Sequence, residues 1–176
     1  MSVASSLRAL CCASILAVTG GTVSAQAGER LVSNPRVASV QPGTIVISAR
    51  ERALYFVVND RQAIRYPIAV PKRGKEWSGV AQVNGKYQNP DWAPPPVVKR
   101  DHPELPDLIK GGSPSNPMGV AALTLDRSEI AIHGTTRKMR GSVGSAASYG
   151  CIRMLNEDVS DLYQRVSVGT PVVMMN

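Results

Sequence analysis

The stretch Ser148-Tyr149-Gly150-Cys151-Ile152-Arg153-Met154 decides how the rest of this 176-residue chain is interpreted. Of the three cysteines, Cys11 and Cys12 lie near the start of the chain and Cys151 lies in this stretch. A cysteine between a glycine and an arginine, rather than in an apolar run, is more typical of a reactive thiol than of a core side chain. The stretch therefore predicts a site of cysteine chemistry.

Residues 1–27 predict a secretory signal peptide. A short start that contains the cation Arg8 precedes the uncharged apolar run Ala9–Val18, and small residues continue to Ala27. This order of charged, apolar and small-residue segments is typical of cleaved export signals. The apolar run is too short for a stable transmembrane anchor. We therefore expect export to the periplasm or cell envelope, with a retained anchor or a lipoprotein at Cys11 as the less favoured alternative.

The residues that follow the signal are enough for one domain of ordinary size. Residues 28–43 are polar and mixed, which predicts an N-terminal arm, and residues 44–176 predict one domain, which we expect to be monomeric. Without the signal, Cys151 is the only cysteine, so it has no internal partner for a disulfide. Such a thiol is an accident, an intermolecular link or a reagent, and its setting favours the reagent.

The charge of the chain is basic, with 20 Lys and Arg against 13 Asp and Glu, a formal net charge of +7. A basic surface suits nucleic acid, an anionic envelope polymer or an acidic ligand, or serves only solubility. The basic residues are scattered, aromatic residues make up only 5% of the chain, and export is expected. These features predict no nucleic-acid partner.

The pattern of apolar and β-branched runs predicts a mainly β fold. The predicted strands are Thr44–Ser48, Ala53–Val58, Ala63–Val70, Val120–Leu125, Glu129–His133 and Pro171–Met175. Pro67 predicts an edge strand or a bulge, and Pro71–Gly119 predicts loops with short strands. Asn156 is predicted to cap a helix that ends near Arg165. Together these elements predict a β-sandwich or barrel-like mixed sheet with one or two short helices.

The residues around the thiol include the parts of an acyl-transfer site. A free cysteine has a pKa of about 8.5, so it needs a base such as His133, which ends a predicted strand. Gly134 and Gly150 allow close backbone approach, and N–H groups beside Gly150 can face a developing oxyanion. In an extended segment, Cys151 and Arg153 face the same side. Arg153 can then hold a carboxylate or carbonyl of the substrate.

Structural roles are the alternative for several of these residues. A single histidine at a strand end or a single cysteine is often only part of a core. His102 is interpreted as a solvated loop residue, and Trp77 and Trp92 as core or groove walls. A zinc site formed by His102, His133 and Cys151 is disfavoured because the sequence lacks closely spaced ligand pairs.

The motif residues resemble the signature of the L,D-transpeptidases of bacterial cell walls, the YkuD catalytic-domain family. His133-Gly134-Thr135 and then Ser148–Met154 carry the resemblance. Other segments follow in that family's order: Ala53–Val70, Trp77-Ser78-Gly79, Pro90–Pro95 and Gly111–Gly119. The resemblance extends from Thr44 to Asn176 and implies a YkuD-like mixed β-sheet.

The resemblance also implies a reaction on peptidoglycan tetrapeptide stems. Cys151 would attack the carbonyl between the diamino acid and the terminal D-alanine, releasing D-alanine and forming a thioester. The amine of another stem would then resolve the thioester into a 3→3 cross-link. His133 would act as general base and then acid, and the carbonyl of Gly134 would orient its imidazole.

The remaining site residues are assigned in the same way. Ser148 would brace the loop or contact substrate, backbone N–H groups around Tyr149, Gly150 and Cys151 would bind the oxyanion, and Arg153 would grip the substrate. Many members have a histidine where this chain has Tyr149, which gives a hydroxyl but no proton at neutral pH. The resemblance implies no metal and no organic cofactor.

The acyl acceptor is left open by the sequence. Water would make the enzyme an L,D-carboxypeptidase, and an amine of an outer-membrane protein would make it an anchoring enzyme. A catalytically inactive wall-binding module is the alternative from another class, motivated by Tyr149.

Overall fold

The computed structural model describes residues 31–33 and 39–175. The predicted signal peptide, residues 1–27, lies outside these residues. Part of the predicted arm, Leu31–Ser33, forms a short strand antiparallel to residues 62–64. The arm is therefore joined to the sheet at this point.

Strands predominate in the described part of the chain, which contains ten strands and two α-helices. The strands are β1 (Leu31–Ser33), β2 (Ile45–Ser48), β3 (Ala53–Val57), β4 (Gln62–Pro71), β5 (Gly79–Gln88), β6 (Ala121–Leu125), β7 (Ala131–His133), β8 (Ala146–Ser148), β9 (Ile152–Met154) and β10 (Pro171–Met175). The helices are α1 (Pro96–Asp101) and α2 (Asn156–Arg165), and a 3₁₀ turn covers Arg140–Ser142.

The sheet is mixed and closes on itself. Its strands pair in the order β4-β3-β2-β10-β5-β6-β7-β9, and β9 pairs again with β4. Both β1 and β8 also pair with β4. The pairs β2–β10, β7–β9 and β4–β8 are parallel. The prediction of a mainly β, barrel-like mixed sheet with one or two short helices is confirmed.

Apolar side chains of the strands and of α2 form the main core. The four residues of β2 are all buried, and β5 alternates between buried and exposed positions. From α2, Val159 and Leu162 are fully buried in the same cluster as Leu123 and Ile132 of β6 and β7. Burial of this apolar face, rather than helix propensity, is the main source of the stability of a short helix. The helix thereby lies against the strands that lead to the site.

The strand that contains Pro67, β4, is not an edge strand, but it has a register irregularity between Val70 and Pro71, where it pairs with β8. β4 pairs with β3 up to Pro67, opposite Ala53, and pairs with β9 from Ile68 onward. The missing N–H of Pro67 therefore falls where the strand exchanges one neighbour for another.

The region Pro71–Gly119 contains more regular structure than its composition predicts. The ten-residue strand β5 and the short helix α1 both lie within it. In β5 the buried residues include Ala81, Val83 and Gly85, and polar residues separate them, so the strand shows little apolar character. Within the described ranges, no helix has the length and apolar character needed to cross a bilayer.

Candidate active site

Two neighbouring strands bring the motif residues together. β7 and β9 are parallel, with Ile132 opposite Ile152 and His133 opposite Arg153. Because successive residues of a strand face opposite sides, Ile152 is buried in the core while Cys151 and Arg153 line a pocket. His133 lines the same pocket. The prediction that Cys151 and Arg153 face the same side is confirmed.

The pocket has a volume of about 430 Å³. Its outer wall comes from α1 and the loop that follows, and its base comes from β7, β9 and the segment before β6. Residues of the outer wall include Val97, Val98, His102, Leu105 and Ile109, with Trp92 and Met118 beside them. The interpretation of Trp92 as a groove wall is confirmed. A largely apolar wall around a few polar groups is typical of a site that excludes water from its reacting groups.

His133 is held in one orientation by the backbone. Its Nδ1 lies 2.8 Å from the carbonyl oxygen of Gly134, and its side chain is buried. A carbonyl oxygen only accepts, so Nδ1 is the protonated nitrogen and Nε2 is left as the acceptor. Burial and then the charge of Arg153 lower the pKa of His133 to about 4, although the carbonyls of Gly134 and Pro117 favour the protonated ring and oppose this fall. The imidazole is therefore neutral at pH 7.

Cys151 carries a protonated thiol at the same pH. It is unpaired in the described part of the chain, and its Sγ donates to the carbonyl of Glu129 at 3.4 Å. Burial raises the pKa of Cys151, although a backbone hydrogen bond from Ala131 and the charge of Arg153 oppose the rise. The pocket thus contains a neutral thiol and a neutral imidazole rather than a preformed ion pair.

The loop before the thiol is braced by side chains. Ser148 Oγ donates to the carbonyl of Cys151 at 2.5 Å and accepts from the Gly150 N–H at 3.3 Å. Trp77 Nε1 donates to the carbonyl of Gly150 at 2.9 Å. Gly150 has a φ of +138°, and a Cβ there would lie 2.6 Å from Ile130 Cδ1. Glycine suits this turn because its positive φ strains other residues, and a side chain there would also displace the end of Ile130.

Arg153 places a charged group at the inner wall of the pocket. It is 7% exposed, and its Nη1 donates to Ser142 Oγ at 2.8 Å. Its Nε is buried and has no hydrogen-bond partner among the described residues. A buried guanidinium with an unused donor suits an anionic or carbonyl group of a ligand. Ser142, interpreted from sequence as loop, is thus a contact of Arg153 from the 3₁₀ turn.

Tyr149 contacts the outer wall where the family commonly has histidine. Its hydroxyl donates to Asp101 Oδ2 at 3.0 Å, and Lys72 Nζ lies 3.5 Å from the centre of its ring. The Tyr149 hydroxyl, followed by Arg100, lowers the pKa of Asp101. The ring of His102 meets the Tyr149 ring edge-on at 6.4 Å.

His102 is exposed, and no group of three His, Cys, Asp or Glu residues suited to a metal ion occurs in the described ranges.

Two asparagines support the site without facing the thiol, and sequence reasoning did not single out their side chains for this. Asn116 is buried and donates from Nδ2 to the carbonyl of Pro90 at 2.8 Å, while its Oδ1 accepts from the N–H of Met118 at 2.9 Å. It thereby holds the segment that contains Pro117 against the pocket. Asn156 accepts from the N–H of Thr135 at 2.8 Å. Asn116 lies in the segment Gly111–Gly119 that follows the family's order, but nothing in the local sequence indicates that its amide is buried.

Comparison with known proteins identifies the family of this chain. The YkuD family, described as the L,D-transpeptidase catalytic domain, matches residues 42–174. The probable L,D-transpeptidase ErfK/SrfK of Escherichia coli (strain K12) is 34% identical over 139 residues, which cover 75% of this chain and 44% of that protein. This chain thus spans less than half the length of that relative.

Solved structures share the fold. An L,D-transpeptidase from Mycobacterium smegmatis superposes with a TM-score of 0.60 at 18% identity, covering 76% of this chain and 58% of that one. A Brucella melitensis protein named a probable carnitine operon oxidoreductase superposes with a TM-score of 0.53 at 40% identity, covering 82% of this chain and 91% of that one. The family match covers most of the chain, including both strands of the pocket. The chain belongs to the L,D-transpeptidase catalytic-domain family, YkuD.

Proposed function

We propose that this protein is an exported peptidoglycan L,D-transpeptidase of the cell envelope that uses Cys151 as its nucleophile. The observation that carries the proposal is the meeting of Cys151, His133 and Arg153 in one pocket, on adjacent parallel strands. A thiol, a neutral base with a free nitrogen and a buried cation are the groups that acyl transfer from a peptide requires.

In the first half-reaction, the thiol of Cys151 attacks the carbonyl between the diamino acid and D-alanine of a tetrapeptide stem. Nε2 of His133 takes the thiol proton as the carbon–sulfur bond forms. N–H groups of the loop beside Gly150 receive the oxyanion. The imidazolium then protonates the leaving amine, the carbon–nitrogen bond breaks, and D-alanine departs from a thioester.

Of those N–H groups, that of Gly150 is already engaged by Ser148 Oγ at 3.3 Å. We therefore assign the oxyanion to the N–H groups of Tyr149 and Cys151, with Ser148 bracing the turn that aims them.

In the second half-reaction, the amine of another stem attacks the thioester. His133 takes a proton from the amine, the carbon–sulfur bond breaks, and the thiol of Cys151 is restored. The product is a 3→3 cross-link.

Arg153 holds the donor stem through a carboxylate or carbonyl. Its unpartnered buried Nε faces no competing acceptor in the described part of the chain, which supports this role. The proposal also includes recognition of the peptidoglycan stem by the whole protein and its export to the cell envelope.

Purified protein with disaccharide tetrapeptide provides the test, with products read by mass spectrometry. We expect release of D-alanine and formation of dimers, and a covalent adduct on Cys151 when a carbapenem is added. Cys151→Ala should abolish all three, whereas Ser160→Ala, on α2 and outside the pocket, should abolish none. Tripeptide without dimers would assign water as the acceptor. Absence of any adduct on the unsubstituted protein would overturn the proposal.

A further inference from the structure

The peptide bond between Gly134 and Thr135 is held at both of its polar ends. Its carbonyl oxygen accepts from Nδ1 of His133 at 2.8 Å. Its N–H donates to Oδ1 of Asn156 at 2.8 Å. A single peptide unit thus connects the side chain of Asn156 to the imidazole.

The glycines around this peptide leave room for the Asn156 side chain. A Cβ built on Gly134 would lie 2.3 Å from Asn156 Oδ1, and one built on Gly119 would lie at the same distance of 2.3 Å. Gly119 also has a φ of +66° and would bring its Cβ within 2.4 Å of the Thr135 nitrogen. A side chain at either position would collide with the Asn156 amide where it lies, so the amide fits between them only because both residues are glycine.

The amide of Asn156 is not used by its own helix. Asparagine near a helix N-terminus ordinarily caps it, and the sequence predicts that role here. In the structure, α2 begins at Asn156, its N-cap is Leu155, and no side chain caps it. The prediction of an Asn156 cap is therefore wrong: the side chain turns from the helix to the loop that follows His133.

We propose that Asn156 is a positioning residue for His133, which it controls by holding and polarising the Gly134–Thr135 peptide. Hydrogen bonds in a chain strengthen one another, so donation to Asn156 makes the Gly134 carbonyl a better acceptor for Nδ1–H. A better acceptor favours the tautomer with the proton on Nδ1, which leaves Nε2 free to take the thiol proton. The catalytic part of this inference rests on the proposed function.

The ring of His133 has other charged or titratable neighbours, and the test leaves them in place. Arg153 of β9 and Cys151 just before it line the same pocket, as do Glu129, Tyr149 and His102. Asn156 contacts neither the thiol nor the guanidinium in any described hydrogen bond, so substitutions there act on His133 through the peptide.

Two substitutions separate the role of the acceptor from that of shape. Asn156→Leu keeps a similar side-chain shape and removes the oxygen. Asn156→Asp keeps the oxygen and adds a negative charge. Asn59→Leu is the matched control, because Asn59 Oδ1 also accepts from backbone N–H groups, those of Arg61 and Gln62, at a turn outside the pocket.

Nitrogen NMR of the histidines in the full chain measures the tautomer and pKa of His133, and thereby tests the role of Asn156 directly. The chain has two histidines, so the exposed His102 is an internal reference for the tautomer and pKa of His133. We expect Asn156→Leu to shift His133 towards the Nε2–H tautomer and to lower its pKa. Asn156→Asp should retain Nδ1–H and raise the pKa. Asn59→Leu should change neither.

The reaction provides the second readout. Asn156→Leu should lower the maximal rate of Cys151 acylation by a carbapenem roughly tenfold to a hundredfold, less than the loss typical when a directly bonded orienting group is removed. The carbapenem concentration at half-maximal rate should stay within about twofold, because Asn156 does not line the pocket. Asn156→Asp should retain most of the rate.

Unchanged His133 tautomer and pKa in both variants would overturn the proposal, whatever the activity. If Asn156→Leu does not fold, Asn156→Asp alone tests the proposal. If residue 156 is coupled to His133, a full negative charge bonded to the Gly134–Thr135 peptide must raise the His133 pKa. NMR requires no turnover. If a carbapenem does not acylate Cys151 of the unsubstituted protein, the proposed function is overturned. The NMR result would still test the effect of Asn156 on the His133 tautomer independently.

Discussion

The hydroxyl of Tyr149 donates a hydrogen bond to the carboxylate of Asp101 at 3.0 Å. This bond joins the loop that carries Cys151 to the last residue of α1, which forms the outer wall of the pocket. Tyr149 thus connects the thiol loop to the pocket wall, and the base in the proposed reaction is His133.

Tyr149→Phe should weaken substrate binding and leave the chemical step intact. The ring and its contact with Lys72 remain, and only the bond to an exposed carboxylate is lost. We expect the half-saturating stem concentration to rise by no more than about fivefold, with an unchanged maximal rate, because exposed charged contacts contribute little. Asp101→Asn, which retains an acceptor for the Tyr149 hydroxyl, should change the half-saturating stem concentration less. A large loss of maximal rate in Tyr149→Phe would show that the hydroxyl acts on the reacting atoms.

The acid limb of the pH profile should lie near pH 4. His133 acts as a base only when neutral, and its pKa is about 4, so activity is lost as the pH falls through that value. The acylation rate of Cys151 by a carbapenem, measured from neutral to acid pH, checks this expectation. A limb at the ordinary histidine pKa of about 6.5 would mean that burial does not depress the pKa. A rate that rises into acid would contradict the role of base.

The free energy of unfolding should fall between pH 6.5 and 4 because of His133. Its pKa falls from 6.5 to about 4 on folding, so in this window the unfolded chain takes up a proton that the folded chain excludes. Above pH 6.5 both states are neutral and the full stability is present. The loss approaches about 3 kcal/mol at the acid end, since each pKa unit corresponds to about 1.4 kcal/mol.

Urea unfolding of the unsubstituted protein and of His133→Gln at several pH values measures this contribution. Carboxylates titrate in both proteins, so the difference between their pH slopes isolates the imidazole. Equal slopes would contradict the shift.

Arg153→Lys should impair the reaction although it retains the charge. Arginine bonds Ser142 Oγ through Nη1 and keeps its buried Nε for a ligand, and a lysine has a single nitrogen for both tasks. We expect kcat/KM on the tetrapeptide stem to fall roughly tenfold to a hundredfold, in line with the loss of one or two hydrogen bonds to a charged group. Arg165→Lys on the exposed side of α2 is the matched control and should change little. Full activity of Arg153→Lys would exclude a forked contact with substrate.

Much of the fold was predictable because its signals are local. The hairpin of β6 and β7 and the last strand β10 are short apolar runs bounded by turn residues, and these signals lie within a few residues of each strand. A helix that Asn156 caps and that ends near Arg165 was predicted from its polar start, and α2 covers Asn156–Arg165, although Asn156 does not cap it. By contrast, β5 was not predicted, because its polar composition conceals a strand that is defined by pairing with β10 and β6 on either side.

The chemical identity of the site was present in the local sequence. Cys151 in the pattern Gly-Cys-x-Arg, and His133 at a strand end before Gly134, predict a thiol nucleophile and its base, since reactivity depends on residue type and near neighbours. Their arrangement depends on contacts between distant segments. The parallel pairing of β7 with β9 sets His133 opposite Arg153, and burial in the closed sheet sets the protonation of the pair. Pairing and burial arise only when the whole sheet assembles, so no short stretch of residues encodes them.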